Sequence, residues 1–125
     1  MAPDIRALLV DDEPDMRMVM RMVIEADDIG VSVCGEAEDG EQAVQAAEKL
    51  RPNVVVIDVR MPHLDGLAAA ARILAAHPGQ RIILCTAYFD RELNRQATEM
   101  GISACIPKTE IVDITTVIKR VAEAA

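Results

Sequence analysis

Short runs of aliphatic residues recur along the chain, and two of them end abruptly in acidic residues. The run 7–10 leads into Asp11 and Asp12, and the run 54–57 leads into Asp58. Brief apolar runs rich in β-branched residues are typical of strands buried on both faces of a parallel sheet. We therefore expect these acids to lie at the rim of a buried sheet.

Segments with helical spacing separate the runs, and turn residues mark the boundaries. Strands are predicted over residues 5–10, 31–36, 54–58, 81–86 and 103–107, and helices over 14–26, 41–50, 66–76, 91–100 and 111–124. Pro14 suits a first helical position, and Gly101 suits a helix C-terminus. Pro107 predicts an edge strand, because proline donates no ladder hydrogen bond. The alternation predicts an α/β fold, a doubly wound parallel sheet with right-handed crossovers.

The first and last helices carry apolar stripes that predict their buried faces. The stripes comprise Met16, Val19, Met20, Val23 and Ile24 in the first helix, and Ile111, Ile114, Ile118 and Val121 in the last. The alternating methionines of the first helix are expected to divide between core and helix surface rather than to form a binding stripe.

Composition narrows the function classes. The 125 residues suit a single domain, 1–125, and no apolar stretch is long enough to cross a membrane. A formal charge of −8 argues against nucleic-acid contact, which needs clustered basic residues. The chain opens without a basic and apolar leader, so a cytoplasmic location is expected.

The cysteines and histidines suggest no metal site. Cys34, Cys85 and Cys105 are odd in number and lack metal-ligand spacing, so buried free thiols are expected. His63 and His77 lie in or near breaks and are expected to face solvent.

The acidic strand ends suggest chemistry, because ligand sites of open α/β sheets form just outside the carboxyl ends of the strands. Carboxylates held close together raise each other's pKa unless a cation offsets them. The pattern therefore indicates a cation site around a reactive aspartate. Taken singly, Asp11 and Asp12 also fit helix N-terminal acids, Asp58 a strand-end turn, and Asp65-Gly66 a turn that starts a helix.

Five motifs taken together resemble the receiver domain of two-component response regulators. They are Asp11-Asp12-Glu13, Asp58-Val59-Arg60-Met61-Pro62, Asp65-Gly66, Thr86-Ala87 and Lys108, and they cover essentially the whole chain in order. Thr86 alone would be an ordinary strand residue and Lys108 alone a surface lysine, so the joint occurrence carries the resemblance. The resemblance implies a flavodoxin-like, five-stranded sheet of order 2-1-3-4-5 with five flanking helices.

The resemblance also implies residue roles. Asp58 would accept a phosphoryl group from a sensor histidine kinase or phosphotransfer protein, in a Mg²⁺-dependent reaction. Asp12, Asp11 and the backbone carbonyl of Arg60 would bind Mg²⁺ together with Asp58. Thr86 would bond a phosphoryl oxygen and Lys108 would pair with the phosphoryl group. Such a protein is a switch and not a turnover enzyme.

The sequence departs from the family pattern at three places. Cys105 stands where receivers usually have an aromatic partner of the switch threonine, so Tyr88 is a candidate aromatic reporter. Lys108 is followed by Thr109 where many members have proline, so the geometry of the loop after Lys108 is not predicted. The long side chain of Arg60 beside Asp58 suggests shielding of the acyl phosphate or a partner contact.

Competing functions are weaker. A phosphatase of the aspartate-nucleophile type typically has a second aspartate at the position of Arg60, and a flavin binder has a glycine-rich loop after the first strand. A phosphorylation-independent interaction module is the alternative, but it usually loses one of the key residues. The motif sequences resemble those of receivers that precede a helix-turn-helix domain. Two kinds of output therefore remain open: contact with a downstream protein, or a DNA-binding domain of the same protein that is absent from this chain.

A final expectation concerns the output face, which by resemblance is the fourth helix, fifth strand and fifth helix. Leu93, Met100 and Val117 on this face are expected to meet a partner or a second receiver.

Overall fold

The structure is a computed structural model that describes residues 4–124. Its strands form one parallel sheet in the order β2-β1-β3-β4-β5, as expected. The strands are β1 (Ile5–Val10), β2 (Val31–Ala37), β3 (Val54–Ile57), β4 (Arg81–Thr86) and β5 (Ala104–Pro107). The segment 1–3, on which the expectation of no leader rests, lies outside the described residues.

Five helices cover both faces of this sheet. They are α1 (Pro14–Asp27), α2 (Gly40–Leu50), α3 (Gly66–Ala76), α4 (Arg91–Met100) and α5 (Ile114–Glu123), with a 3₁₀ segment at Lys108–Asp113. Alternate residues of the central strands feed two separate cores. In β1, Leu8 and Val10 face the core under α2, α3 and α4, whereas Ala7 and Leu9 face the core under α1 and α5. The predicted doubly wound architecture is therefore confirmed.

Aspartates begin three of the helices. The side chains of Asp39, Asp65 and Asp90 each accept a hydrogen bond of 2.8 Å from a backbone N–H in the first turn of α2, α3 and α4. These bonds satisfy N–H groups that have no partner within the helix. At the other end, Gly101 takes the left-handed conformation with φ of 90° and ends α4, as predicted.

The buried faces predicted for α1 and α5 are confirmed at most positions. Met20 and Ile24 are buried, Met18 and Met22 are exposed, and the methionines of α1 divide between core and surface as expected. Val19 is an exception at 41% exposure, because it lies at the margin of the stripe. Ile114, Ile118 and Val121 are buried.

Several element boundaries differ from the expectation, all but the start of the last helix by a single residue. The strand β3 ends at Ile57, yet the Asp58 N–H still donates to the carbonyl of Val10 over 3.0 Å. The strand β5 begins at Ala104, and its edge position is confirmed. The last helix begins only at Ile114, because the chain after Lys108 first makes a 3₁₀ turn. No helix within residues 4–124 is long and apolar enough to cross a bilayer.

Candidate functional site

Four strand ends bring the predicted residues to one rim of the sheet. Asp11 follows β1, Asp58 follows β3, Thr86 is the last residue of β4, and Lys108 follows β5. Asp11, Asp58 and Thr86 are 1%, 5% and 0% exposed, so these polar groups are almost fully removed from water. Burying a polar group costs free energy unless it has a hydrogen-bond or charge partner, so the partners of these residues are the main feature of the site.

The ammonium group of Lys108 joins the two buried carboxylates. Its Nζ lies 2.8 Å from Asp11 Oδ2 and 3.2 Å from Asp58 Oδ2, with Glu13 Oε1 at 3.7 Å. Burial lowers the pKa of Lys108, but the hydrogen bond and charge of Asp11, followed by those of Asp58, outweigh it and raise the pKa. Lys108 is therefore charged at neutral pH and is the positive centre of the site.

The pKa of the Asp58 carboxyl group is raised above its ordinary value. Burial raises its pKa, Lys108 opposes the increase, and the charge of Asp11 adds to it. A carboxylate in this position is costly to ionise unless a cation stands beside it. The site therefore favours cation binding next to Asp58.

The loop between β1 and α1 gathers further carboxylates. Ligand oxygens of Asp11, Asp12 and Glu13 all lie within 4.8 Å of one another. The Glu13 N–H donates to Asp11 Oδ1 over 2.9 Å, which fixes the turn. Clustered carboxylate oxygens are the ligands that Mg²⁺ accepts in proteins, so the donor set fits this cation. Sequence reasoning assigned no role to Glu13, although its place beside the two aspartates was a signal.

The loop between β3 and α3 is held against Asp58 by a close backbone contact. A Cβ atom added to Gly66 would lie 2.0 Å from the carbonyl oxygen of Asp58, so only glycine fits here. The Gly66 N–H donates to the carbonyl of Val59 over 2.8 Å. The interpretation of Asp65-Gly66 as a helix-starting turn is confirmed, and the turn also determines the path of the chain beyond Asp58.

Arg60 lies on the open side of this loop. Its guanidinium carbon is 3.8 Å from the centroid of the Tyr88 ring, a cation–π contact across the site. Asp12, Arg60 and Asp65 line an open cavity of about 710 Å³. The loops that follow β1 and β3 therefore both contribute walls to this cavity.

Thr86 contacts the same aromatic residue through the backbone. Its Oγ1 accepts a hydrogen bond of 3.1 Å from the N–H of Tyr88, whose ring is largely exposed. The hydroxyl oxygen of Thr86 is thus hydrogen-bonded to the backbone of the β4–α4 loop. A movement of Thr86 would release this loop.

The comparison with known proteins decides the family. A family model described as the response regulator receiver domain matches residues 7–121. The chain belongs to this family. It is 38% identical over 103 residues to Protein CcdB of Bacillus subtilis, covering 82% of this chain and 84% of that protein. The receiver fold and the receiver class of function predicted from the motifs are thereby confirmed.

Larger proteins also contain a similar segment. The receiver is 38% identical over 106 residues to a protein-glutamate methylesterase/protein-glutamine glutaminase of Alkalilimnicola ehrlichii, but it spans 27% of that protein. The solved response regulator domain of Thermotoga maritima CheB superposes with a TM-score of 0.90 at 26% identity, covering 98% of each chain. Similar receivers therefore occur both as most of a protein and as one part of it.

The receiver's cysteines are less buried than expected. Cys85 is buried, and burial raises its pKa to about 12. Cys34 and Cys105 are only half-buried, because β2 and β5 are the two edge strands. Cys105 pairs in register with Leu84 and packs against the core under α4. No ring occupies this position of the receiver.

Two other expectations were wrong. His77 is not a free solvent residue: its Nε2 lies 2.6 Å from Glu48 Oε2 and its Nδ1 lies 2.9 Å from Arg51 Nη1. Val117 does not face a partner, because the α5 stripe turns it into the core at 7% exposure. Leu93 and Met100 are partly buried against the other core. His63 is exposed, as expected.

Proposed function

We propose that Asp58 accepts a phosphoryl group from a sensor histidine kinase or phosphotransfer protein, and that the modified receiver then alters its output surface. The observation that carries the proposal is the ammonium of Lys108, which lies 2.8 Å from Asp11 and 3.2 Å from Asp58. This arrangement provides a buried nucleophile, a neighbouring carboxylate and a positive charge at one rim of the sheet.

The cation fits the residues present. Asp11, Asp12, Asp58 and the backbone carbonyl of Arg60 would hold Mg²⁺, and Glu13 is near enough to contribute through water. When bound, Mg²⁺ supplies positive charge that offsets the repulsion between the carboxylates and an anionic phosphoryl donor. The oxygen-only donor set and the raised pKa of Asp58, which results mainly from burial, both support a cation in this place.

The chain's own residues would carry the transfer. An Oδ atom of Asp58 attacks phosphorus, an O–P bond forms, and the P–N bond to the donor histidine breaks with its electron pair going to the imidazole. Lys108 then pairs with a phosphoryl oxygen and stabilises the negative charge on the transferred group. The product carries roughly −1.5 to −2 charges at pH 7 in place of one carboxylate charge.

The switch would pass through Thr86. Its hydroxyl turns to donate to a phosphoryl oxygen and so gives up the N–H of Tyr88, which it accepts at 3.1 Å. The β4–α4 loop, with the exposed Tyr88 and Phe89, is then free to move. Cys105 has no ring to follow this movement, so the signal in this receiver depends on the loop rather than on a rotating aromatic side chain.

The destination of the signal is a second part of the proposal. One possibility is a receiver of 1–125 that acts in the cytoplasm by protein contact. The other is a receiver attached to a DNA-binding domain. Both agree with the finding that similar receivers form most of some proteins and only one part of others. A homodimer through α4, β5 and α5 would use side chains other than the buried Val117. A phosphorylation-independent module is less consistent with the complete set of acids, threonine and lysine.

The direct test is labelling by a small phosphodonor. Wild-type protein should take up one phosphoryl group in the presence of Mg²⁺ and none in the presence of a chelator. Asp58→Asn should abolish uptake. Asp39→Asn is the matched control, because Asp39 caps α2 after the edge strand β2, has no role in the proposed transfer, and asparagine caps a helix equally well. Labelling that survives in Asp58→Asn, or that needs no divalent cation, would contradict the proposal.

A further inference from the structure

The main chain of Asp11 is held from both sides by groups that the roles above do not use. Its N–H donates to the carbonyl of Ala37, at the end of β2, over 3.1 Å. Its carbonyl accepts a short hydrogen bond from Nη1 of Arg17, on the first turns of α1. Asp11 is 1% exposed, so water has little access to either group. The strand β2 and the helix α1 therefore both determine where this residue lies.

The guanidinium of Arg17 is itself fixed. Its Nε donates to Glu36 Oε1 over 2.9 Å, and the Arg17 side chain is only 14% exposed. A guanidinium is a planar fork, so two bonds from one group set its position and its orientation together. Arg17 thereby ties the carbonyl of Asp11 to a carboxylate on β2.

Arg21 shares that carboxylate and provides a comparison. It donates to Glu36 Oε2 over 2.7 and 3.0 Å and to Glu25 over 3.3 Å. Burial raises the pKa of Glu36, but the hydrogen bonds from Arg21 and Arg17 outweigh it and lower the pKa. Within residues 4–124, the side chain of Arg21 donates hydrogen bonds to these two glutamates and not to Asp11. Arg21 thus has the charge and the partner of Arg17 without its contact to the site.

The acidic loop needs such a restraint. Oxygens of Asp11, Asp12 and Glu13 converge within 4.8 Å, and like charges at this separation repel one another. Lys108 contacts Asp11 and Glu13, whereas Asp12 is exposed. A loop free to move would open and separate the three carboxylates. A fixed Asp11 carbonyl limits that movement where the loop leaves β1.

We propose that Arg17 is a positioning residue for the divalent cation, holding the Asp11 carbonyl so that the carboxylates of Asp11 and Asp12 stay converged before the cation arrives. The inference rests on the proposed function. For the change in Mg²⁺ affinity when Arg17 is removed, it predicts the opposite sign to simple electrostatics. Arg17 is a cation near a cation site, so charge alone predicts that its removal tightens Mg²⁺ binding. Positioning predicts that its removal weakens binding, as loss of outer-shell partners does.

The test is a calorimetric titration of Mg²⁺ into wild type, Arg17→Ala, Arg17→Lys and Arg21→Ala, with thermal unfolding of each measured without Mg²⁺. We expect Arg17→Ala and Arg17→Lys to bind Mg²⁺ about 10-fold more weakly than wild type. Arg21→Ala should stay within about twofold, because an exposed pair contributes little. Arg17→Lys keeps the charge and the folded chain, so weakening in that variant isolates the loss of the fork.

The outcomes separate the two proposals. Wild type that is labelled and binds Mg²⁺, beside Arg17 variants that bind it equally well or more tightly, would overturn the inference and leave the proposed function standing. Equal weakening in Arg21→Ala would also overturn it, since the effect would then follow from Glu36 or from general stability. Wild type that binds no Mg²⁺ would overturn both.

Discussion

The guanidinium of Arg60 stacks on the ring of Tyr88, with 3.8 Å between the guanidinium carbon and the ring centroid. These residues follow β3 and β4 by a few positions each, so their contact joins the loop after Asp58 to the loop after Thr86. Arg60 also lines the open cavity that leads towards Asp12. If Asp58 is the phosphoacceptor proposed above, this pair is a candidate shield of the acyl phosphate.

The first prediction concerns the lifetime of the phosphorylated state. Arg60→Ala removes the stacked side chain and should let water reach the acyl phosphate, so that dephosphorylation becomes about threefold faster, in keeping with an exposed cation–π contact of roughly 0.5–1 kcal/mol. Loss of the label from Asp58 after removal of the donor measures this rate. Arg91→Ala, at an exposed position on α4, is the control. Equal rates for Arg60→Ala and wild type would reject shielding.

The second prediction concerns Tyr88 as a reporter of the switch. The chain has one tyrosine and no tryptophan, so intrinsic fluorescence excited near the tyrosine band reports on Tyr88 alone. Phosphorylation should change this fluorescence, because Thr86 releases the Tyr88 N–H. Thr86→Val keeps the shape but lacks the hydroxyl, and it should remove the change while Asp58 is still labelled. A phosphorylated wild type with unchanged fluorescence, together with normal signalling by Tyr88→Ala, would dismiss the reporter role.

The third prediction concerns Lys108 and stability. Lys108→Met leaves the buried carboxylates of Asp11 and Asp58 without their ammonium partner. We expect a loss of about 3 kcal/mol in the free energy of unfolding without Mg²⁺, since removing one partner of a buried pair leaves the other charges uncompensated. Added Mg²⁺ should recover part of this loss. Urea unfolding measures both effects, and Lys49→Met on the exposed face of α2 should change the free energy little. A Lys108→Met variant as stable as wild type would show that the carboxylates need no partner.

The fourth prediction is a pH dependence caused by Asp58. Its pKa is raised above that of the unfolded chain, mainly by burial, so the folded state holds the proton more tightly than the unfolded state does. The stabilisation is present below the ordinary aspartate pKa of about 4 and is lost as the pH rises through the raised pKa of Asp58. Without Mg²⁺, Asp58→Asn should therefore gain stability relative to wild type as the pH rises from 4 to 8. Urea unfolding at each pH gives the difference, and a difference independent of pH would contradict the shift.

The fifth prediction concerns the close backbone contact at Gly66. Gly66→Ala places a Cβ atom 2.0 Å from the carbonyl oxygen of Asp58, so the loop or the strand end must shift. We expect a loss of about 3 kcal/mol, typical of an overpacked site, and slower labelling of Asp58. Gly79→Ala is the control, because nothing lies within 4 Å of its added Cβ. Urea unfolding of the two variants tests this, and similar stabilities would show that the contact is not restrictive.

Much of the fold was predictable because its signals are local. Aliphatic runs, Pro14, Gly101 and the Asp65-Gly66 turn each act within one or two turns of chain, and such signals located all five strands and five helices. The boundary errors occur where a local signal meets a tertiary contact. The 3₁₀ turn after Lys108 is an example, since the chain must first bring that lysine over the sheet rim before α5 can begin. Val19 is another, since the packing of α1 decides how much of its apolar stripe is covered.

The partners of the site residues were less predictable. Lys108 and Asp58 are 50 positions apart, and His77 meets Glu48 from 29 positions away. Such contacts depend on the course of several loops together, so His77 was wrongly expected to be free. Arg17 and Glu13 were given no role from the sequence for the same reason, although Glu13 belongs to the acidic motif and Arg17 follows it by four positions. The burial of Val117 follows from how α5 rotates on the sheet.

By itself, the sequence determined the order of the strands and helices, the family, and the placing of Asp11, Asp58, Thr86 and Lys108 at strand ends. The reason is topological: parallel strands point their carboxyl ends to one rim, so residues at those ends must gather there. Only the tertiary structure decided how these residues pair. The ammonium between the two aspartates, the clamp of Arg17 on Asp11 and the stack of Arg60 on Tyr88 depend on distances of a few ångströms between loops. Those distances are set by the packing of the whole domain and not by any one segment of it.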